Sequence, residues 1–83
     1  MTNKEKLLKD LKRTGYGYQL VTIYNVNGSG KDCDGIMIEH NYNGLYPNEN
    51  AIGKAITIRG IAAKYGFRSD TRGRMTASLI YLN

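Results

Sequence analysis

Ser69-Asp-Thr-Arg-Gly-Arg-Met-Thr-Ala-Ser-Leu-Ile-Tyr-Leu82 is the stretch on which the fold of this 83-residue chain turns. Read with a period of 3.6, Ser69 and Asp70 are an N-cap pair, and Gly73, Ala77 and Ile80, or Met75, Leu79 and Leu82, fall on helix faces. Read with a period of two, Met75, Ala77, Leu79 and Tyr81 share one side of a strand. The capping signal tips the expectation to a helix, with a third strand as the alternative.

Working back from Ser69, Ala51, Ala55, Ile58, Ala62 and Tyr65 recur at helical spacing, with Ile52, Ile56 and Ile61 beside them. Gly53 and Gly60 each weaken a helix by about 1 kcal/mol relative to Ala, and Thr57 can cap, so two short helices with a bend near Thr57 are expected. Gly66 suits the left-handed position that closes a helix. Further upstream, Tyr18 to Val26 is dense in β-branched and aromatic residues and reads as a strand. Residues 27–35 read as a polar, glycine-rich turn, Ile36 to Tyr42 as the returning strand of a hairpin, and Asn43 to Asn50, with Pro47, as a loop. Asn3 to Arg13 reads as a helix carrying Leu7, Leu8 and Leu11 on one stripe, capped by Thr2 or Asn3 and stopped by Gly15. Its basic face is interrupted by Glu5 and Asp10, so it reads as a helix docked on the core rather than on a membrane.

Ile61-Ala-Ala-Lys-Tyr-Gly-Phe-Arg-Ser69 resembles the helix-turn-helix of bacterial repressors, particularly winged-helix repressors of the SOS type. Ala62 stands where two helices would cross, Gly66 in the turn, and Phe67 as the apolar plug. The resemblance covers residues 57–82. It implies a recognition helix whose start meets base edges in the major groove, which would place Ser69, Asp70, Thr71, Arg72 and Arg74 at DNA and Arg68 near the turn.

The expected fold is therefore α+β in one small domain over residues 1–83: an N-terminal helix, a β-hairpin and a C-terminal helix-turn-helix-like unit. A chain of this size buries only about 60–65% of its unfolded surface, and a homodimer would relieve its small core.

Charge points the same way as the motif. Residues 1–50 carry six basic and six acidic side chains, whereas residues 51–83 carry Lys54, Arg59, Lys64, Arg68, Arg72 and Arg74 against Asp70 alone, which accounts for the net +5. A basic end of this kind fits a polyanion, with DNA ahead of RNA, or an acidic protein surface. Arg59, Lys64, Arg68, Ser69, Thr71, Arg72 and Arg74 are the expected nucleic-acid-binding residues, in a small DNA-binding regulator. The alternative is a phage or mobile-element accessory protein, of the anti-CRISPR kind, that inhibits a host protein or nucleoprotein complex. Its Tyr-, Asn- and Gly-rich loops would suit protein recognition. Tyrosines exposed on a sheet could also stack bases.

Other chemistry finds little footing in the sequence. Cys33 is the single cysteine and His40 the single histidine, so neither an intramolecular disulfide nor a Cys-based zinc site is expected, and no metal or other cofactor is called for. Asn27-Gly-Ser-Gly-Lys31 lacks a phosphate loop's first glycine (Asn25) and its Ser/Thr after the lysine (Asp32). Read as a calcium loop, the same region has Ile36 where a glutamate should close the site. Glu39 and His40 are neighbours in a strand and so point to opposite faces. The chain is not expected to be an enzyme. Its charged first residues and the lack of any long apolar run argue against a leader or a membrane span, and give a cytoplasmic reading.

Overall fold

The computed structural model describes residues 1–24, 28–41 and 49–82. The elements are α1 (Asn3–Thr14), β1 (Gln19–Ile23), β2 (Cys33–Glu39), α2 (Glu49–Lys64), β3 (Ser69–Thr71), a 3-10 turn (Gly73–Met75) and β4 (Ala77–Tyr81). The four strands form one sheet in the order β1-β2-β4-β3, with every neighbouring pair antiparallel. Two hairpins thus meet in the middle of the sheet through β2 and β4, and α2 makes the connection between them.

Helix α1 forms as its sequence predicts. Thr2 Oγ1 accepts from the Glu5 amide and Glu5 Oε1 accepts from the Thr2 amide, both at 3.2 Å, a reciprocal capping box. Gly15 closes the helix at φ 76°, donating to the Lys12 carbonyl. Leu7 and Leu11 are fully buried against the sheet. The expected first hairpin is also present, with Leu20 opposite Ile36 and Ile23 opposite Cys33. Strand β2 begins at Cys33, inside the segment expected to be a turn. Parts of the expected elements at residues 25–27 and 42–48, including Pro47, lie outside the described residues.

Helix α2 differs from expectation in being continuous from Glu49 to Lys64. Thr57 does not cap a second helix. Its hydroxyl donates to the Gly53 carbonyl at 2.9 Å, one turn back, which leaves the helical backbone intact. Ala51, Ala55, Ile58 and Ala62 form the buried face, at the spacing read from the sequence.

The C-terminal part is strand, not helix-turn-helix. The run that resembles a repressor motif is a helix C-cap: the Phe67 amide donates to the Ala62 carbonyl at 2.9 Å and the Gly66 amide to the Ala63 carbonyl at 3.1 Å, with Gly66 at φ 81°. This 6→1 and 5→2 pairing is a Schellman motif, which needs a glycine followed by an apolar residue that folds back on the helix. A helix-turn-helix asks for the same residue types, so Ala62, Gly66 and Phe67 fit both. Beyond the cap the chain pairs at once. The Arg68 carbonyl accepts from the Tyr81 amide at 2.9 Å, and Ser69, Asp70 and Thr71 stand opposite Ile80, Leu79 and Ser78. No recognition helix follows Ser69. The alternation of Ala77, Leu79 and Tyr81 holds in β4, whereas Met75 lies in the turn before it.

Both helices pack on one face of the sheet. Leu7, Leu11, Ile58 and Ala62 from the helices meet Ile36, Ile38 and Ile80 from β2 and β4, all fully buried. Gly35 lies on the other face, where a Cβ would run into Ile23 Cδ1 and stand 3.0 Å from the Ile80 carbonyl oxygen. Gly53 and Gly60 have open space where a Cβ would go.

Ile58→Ala, at the centre of the core, should therefore lose about 2–5 kcal/mol in urea unfolding. Gly53→Ala and Gly60→Ala should each gain up to about 1 kcal/mol in the same measurement, because the helix carries their backbone cost without a steric need for it.

Candidate nucleic-acid interface

The residues expected to bind nucleic acid gather around β3, the short edge strand, but not in one plane. Antiparallel pairing puts Ser69 and Thr71 on the helix side of the sheet, opposite Ile80 and Ser78. There they line a groove of about 240 Å³ with Ala55, Ile56 and Arg59 of α2, with Met75, and with Asp70 and Ser78 of the sheet. Arg68, Asp70 and Arg72 alternate to the helix-free side. The Arg68 guanidinium stands 4.4 Å from the centroid of the Tyr81 ring, and Arg72 Nη1 stands 3.9 Å from Met37 Sδ. Asp70 Oδ1 accepts from the Thr71 amide at 2.9 Å, so the expected N-cap residue serves an edge strand instead.

Arg74 sits in the turn that joins β3 to β4. It and Met75 have left-handed backbone angles, φ 57° and 55°, uncommon for side chains of this size. The turn is held from below by His40, at the end of β2. His40 is 5% exposed, and its Nδ1 lies 2.6 Å from the Met75 carbonyl oxygen. A carbonyl can only accept, so Nδ1 is the donor; in the neutral ring Nε2 then accepts from the Ser78 hydroxyl at 2.7 Å. The His40 amide also donates to the Thr76 carbonyl at 3.0 Å. The one histidine of the chain is thus a brace for the turn that carries Arg72 and Arg74. The sequence offered no signal for this, because the contacts span about 35 residues.

Lys64 belongs elsewhere. Its ammonium pairs with Asp10 of α1 at 3.2 Å and lies 5.1 Å from the centre of the Tyr65 ring. Tyr65 also donates its hydroxyl to Asp10 at 2.6 Å. That hydroxyl first, and Lys64 second, hold the Asp10 carboxyl below its ordinary value against partial desolvation, while Tyr65 and Asp10 hold the Lys64 ammonium above its own. The cluster ties α1 to the end of α2. Lys54 is likewise engaged, donating to the Glu39 carbonyl at 2.8 Å and lying over the Tyr16 ring.

Among the described residues no group of His, Cys, Asp and Glu could hold a metal ion, and no helix is long and apolar enough to cross a membrane. Comparison with protein-family models, with curated proteins and with solved structures returned no match.

His40→Ala should lower stability by about 1–3 kcal/mol in urea unfolding, because the Met75 carbonyl loses its buried donor. The Asp10 cluster has its own signature. Since the folded-state pKa is depressed, its contribution is complete above the ordinary value of 3.8 and is lost as pH falls through the folded value. Asp10→Asn should flatten that acid limb of a stability-versus-pH curve and leave the neutral limb level.

Proposed function

We propose that this protein binds nucleic acid through the β3–β4 hairpin and the adjoining groove beneath α2. The observation that carries the reading is the placement of Arg59 in the groove, Arg68 and Arg72 at the two ends of β3 and Arg74 in the β3–β4 turn, with Asp70 as the acidic residue of β3. Two hydroxyl-bearing residues, Ser69 and Thr71, line the same edge.

Guanidinium forks and hydroxyl groups are the side chains that contact phosphate oxygens, and such contacts position a protein on a strand without reading its sequence. Without a helix to enter the major groove, the hairpin contributes affinity through the backbone rather than base-edge selection. The brace from His40 supports the reading as well. A turn fixed before binding presents its arginines at lower entropic cost than a loop that must order on contact.

A second reading, an accessory protein that binds and inhibits a host partner, draws on α2. Ile52 and Ile56 of this helix are 39% and 66% exposed, Ile56 at the wall of the groove. Exposed isoleucines of this kind suit a protein partner better than a phosphate backbone.

A salt series separates the two. Binding to labelled oligonucleotides should weaken steeply from 50 to 200 mM salt (~4-fold in concentration), with a log–log slope of several units. Arg72→Ala and Arg74→Ala should each weaken binding and reduce that slope by about one. Absence of binding to both single strands and duplex at low salt, with a stoichiometric protein partner captured through α2, would remove the first reading.

A further inference from the structure

The helix-free face of the sheet is unusual for a two-layer fold. An antiparallel sheet with helices on one side ordinarily turns polar residues to the other. Here the outward positions of the two central strands include Met37 of β2 and Leu79 and Tyr81 of β4, and β1 adds Val21 and Ile23. All five are half-buried, and none belongs to the cluster packed beneath the helices.

The border of this face is set by β3. Arg68 and Arg72 project to the same side and lean inward, one over the Tyr81 ring and the other toward Met37. Asp70 stands between them with one oxygen committed to the Thr71 amide. Glu39 is on the same face at the far end of β2, in one row with Ala77 and Arg72, so the cationic end of the margin is at Arg68 and Tyr81.

We infer that this face is a platform for the unpaired bases of a single-stranded nucleic acid, with Arg68 and Arg72 taking its phosphates and the Arg68–Tyr81 stack taking a base. The inference rests on the nucleic-acid reading above and names its substrate class.

The charge and the shape of the face select that occupant. A flat apolar surface bordered by guanidinium groups needs a ligand that is anionic along one line and planar and apolar beside it. Single strands have that character, and aromatic rings and arginine planes are the groups on which unstacked bases settle. A duplex hides its base faces in the helical stack and would gain nothing from Met37, Leu79 or Tyr81. Two copies of this chain each carry +5 and repel at long range, which disfavours a second copy as the occupant.

The test uses fluorescence anisotropy with labelled 12-nucleotide (~12) probes of dT, of U and of a duplex DNA at low salt. Single strands should bind about 10-fold or more tighter than the duplex. Tyr81→Ala should weaken single-strand binding by about 5- to 100-fold and close that gap, whereas Tyr81→Phe, which keeps the ring, should preserve it. Arg68→Lys keeps the charge but loses the planar stack, and should narrow the gap too. It is the variant to rely on if Tyr81→Ala fails to fold by circular dichroism. A preference for U over dT would assign the strand as RNA, and the reverse as DNA; either supports the inference. Equal binding of single strands and duplex, unaffected by Arg68→Lys, would overturn it and leave the nucleic-acid reading in place. Binding to none of the probes would overturn both. A dimer in sedimentation that Leu79→Asp dissolves would assign the face to a second copy instead, and overturn the inference.

Discussion

The pairing of β2 with β4 is the contact on which the rest of the structure depends. It joins the hairpin from the first half of the chain to the last strand, from Gly35 opposite Tyr81 to Glu39 opposite Ala77. Because side chains alternate along a strand, this one register sends Ile36, Ile38 and Ile80 together toward the helices. A slip of one residue would turn those isoleucines to solvent and bring Met37, Leu79 and Tyr81 inward. Leu7 and Leu11 of α1 and Ile58 and Ala62 of α2 are all fully buried in the same cluster.

The same pairing assembles the candidate edge. With β4 fixed in the middle of the sheet, β3 becomes the edge strand, and the short return between them falls above the end of β2. His40 is placed there to engage both Met75 and Ser78, so a turn with two left-handed residues is braced by a buried side chain. The arginines of the C-terminal half are divided by this arrangement. Arg59 faces the groove under α2, Arg68 and Arg72 face the open side of the sheet, and Arg74 rides on the turn. Lys64 is drawn away into the cluster with Asp10 and Tyr65, where it fastens one helix to the other.

Much of the fold could be read from local signals. Helix α1 followed from a leucine stripe, a capping box and a stop glycine, all of which lie within 15 residues. The first hairpin followed from two β-rich runs around a glycine-rich turn, and the buried face of α2 from its alanine and isoleucine spacing. The readings that failed were those where one local pattern serves two structures. Ala62, Gly66 and Phe67 satisfy a Schellman cap as well as a helix-turn-helix turn. Ser69 and Asp70 can cap a helix or begin an edge strand. Thr57 can start a helix or bond back within one. The candidate site was legible as a list of arginines and hydroxyls, while the open face with Leu79 and Tyr81 was legible only in the alternation of residues 75–81, which competes with a helical pattern over the same residues.

The sequence by itself determined the concentration of positive charge in residues 51–83, the two apolar helix faces and the positions of the chain's stop glycines, because each of these is a property of composition or of near neighbours. Only the tertiary structure decided that the last segment is strand. Residues 69–81 have a helical and an extended pattern of comparable quality. The extended one prevails because β2 offers a free edge on which Ala77–Tyr81 can satisfy its backbone groups, while Ile80 enters a core already formed by Ile36 and Ile38. That choice moved the basic residues from a helix for a groove to the margin of a sheet.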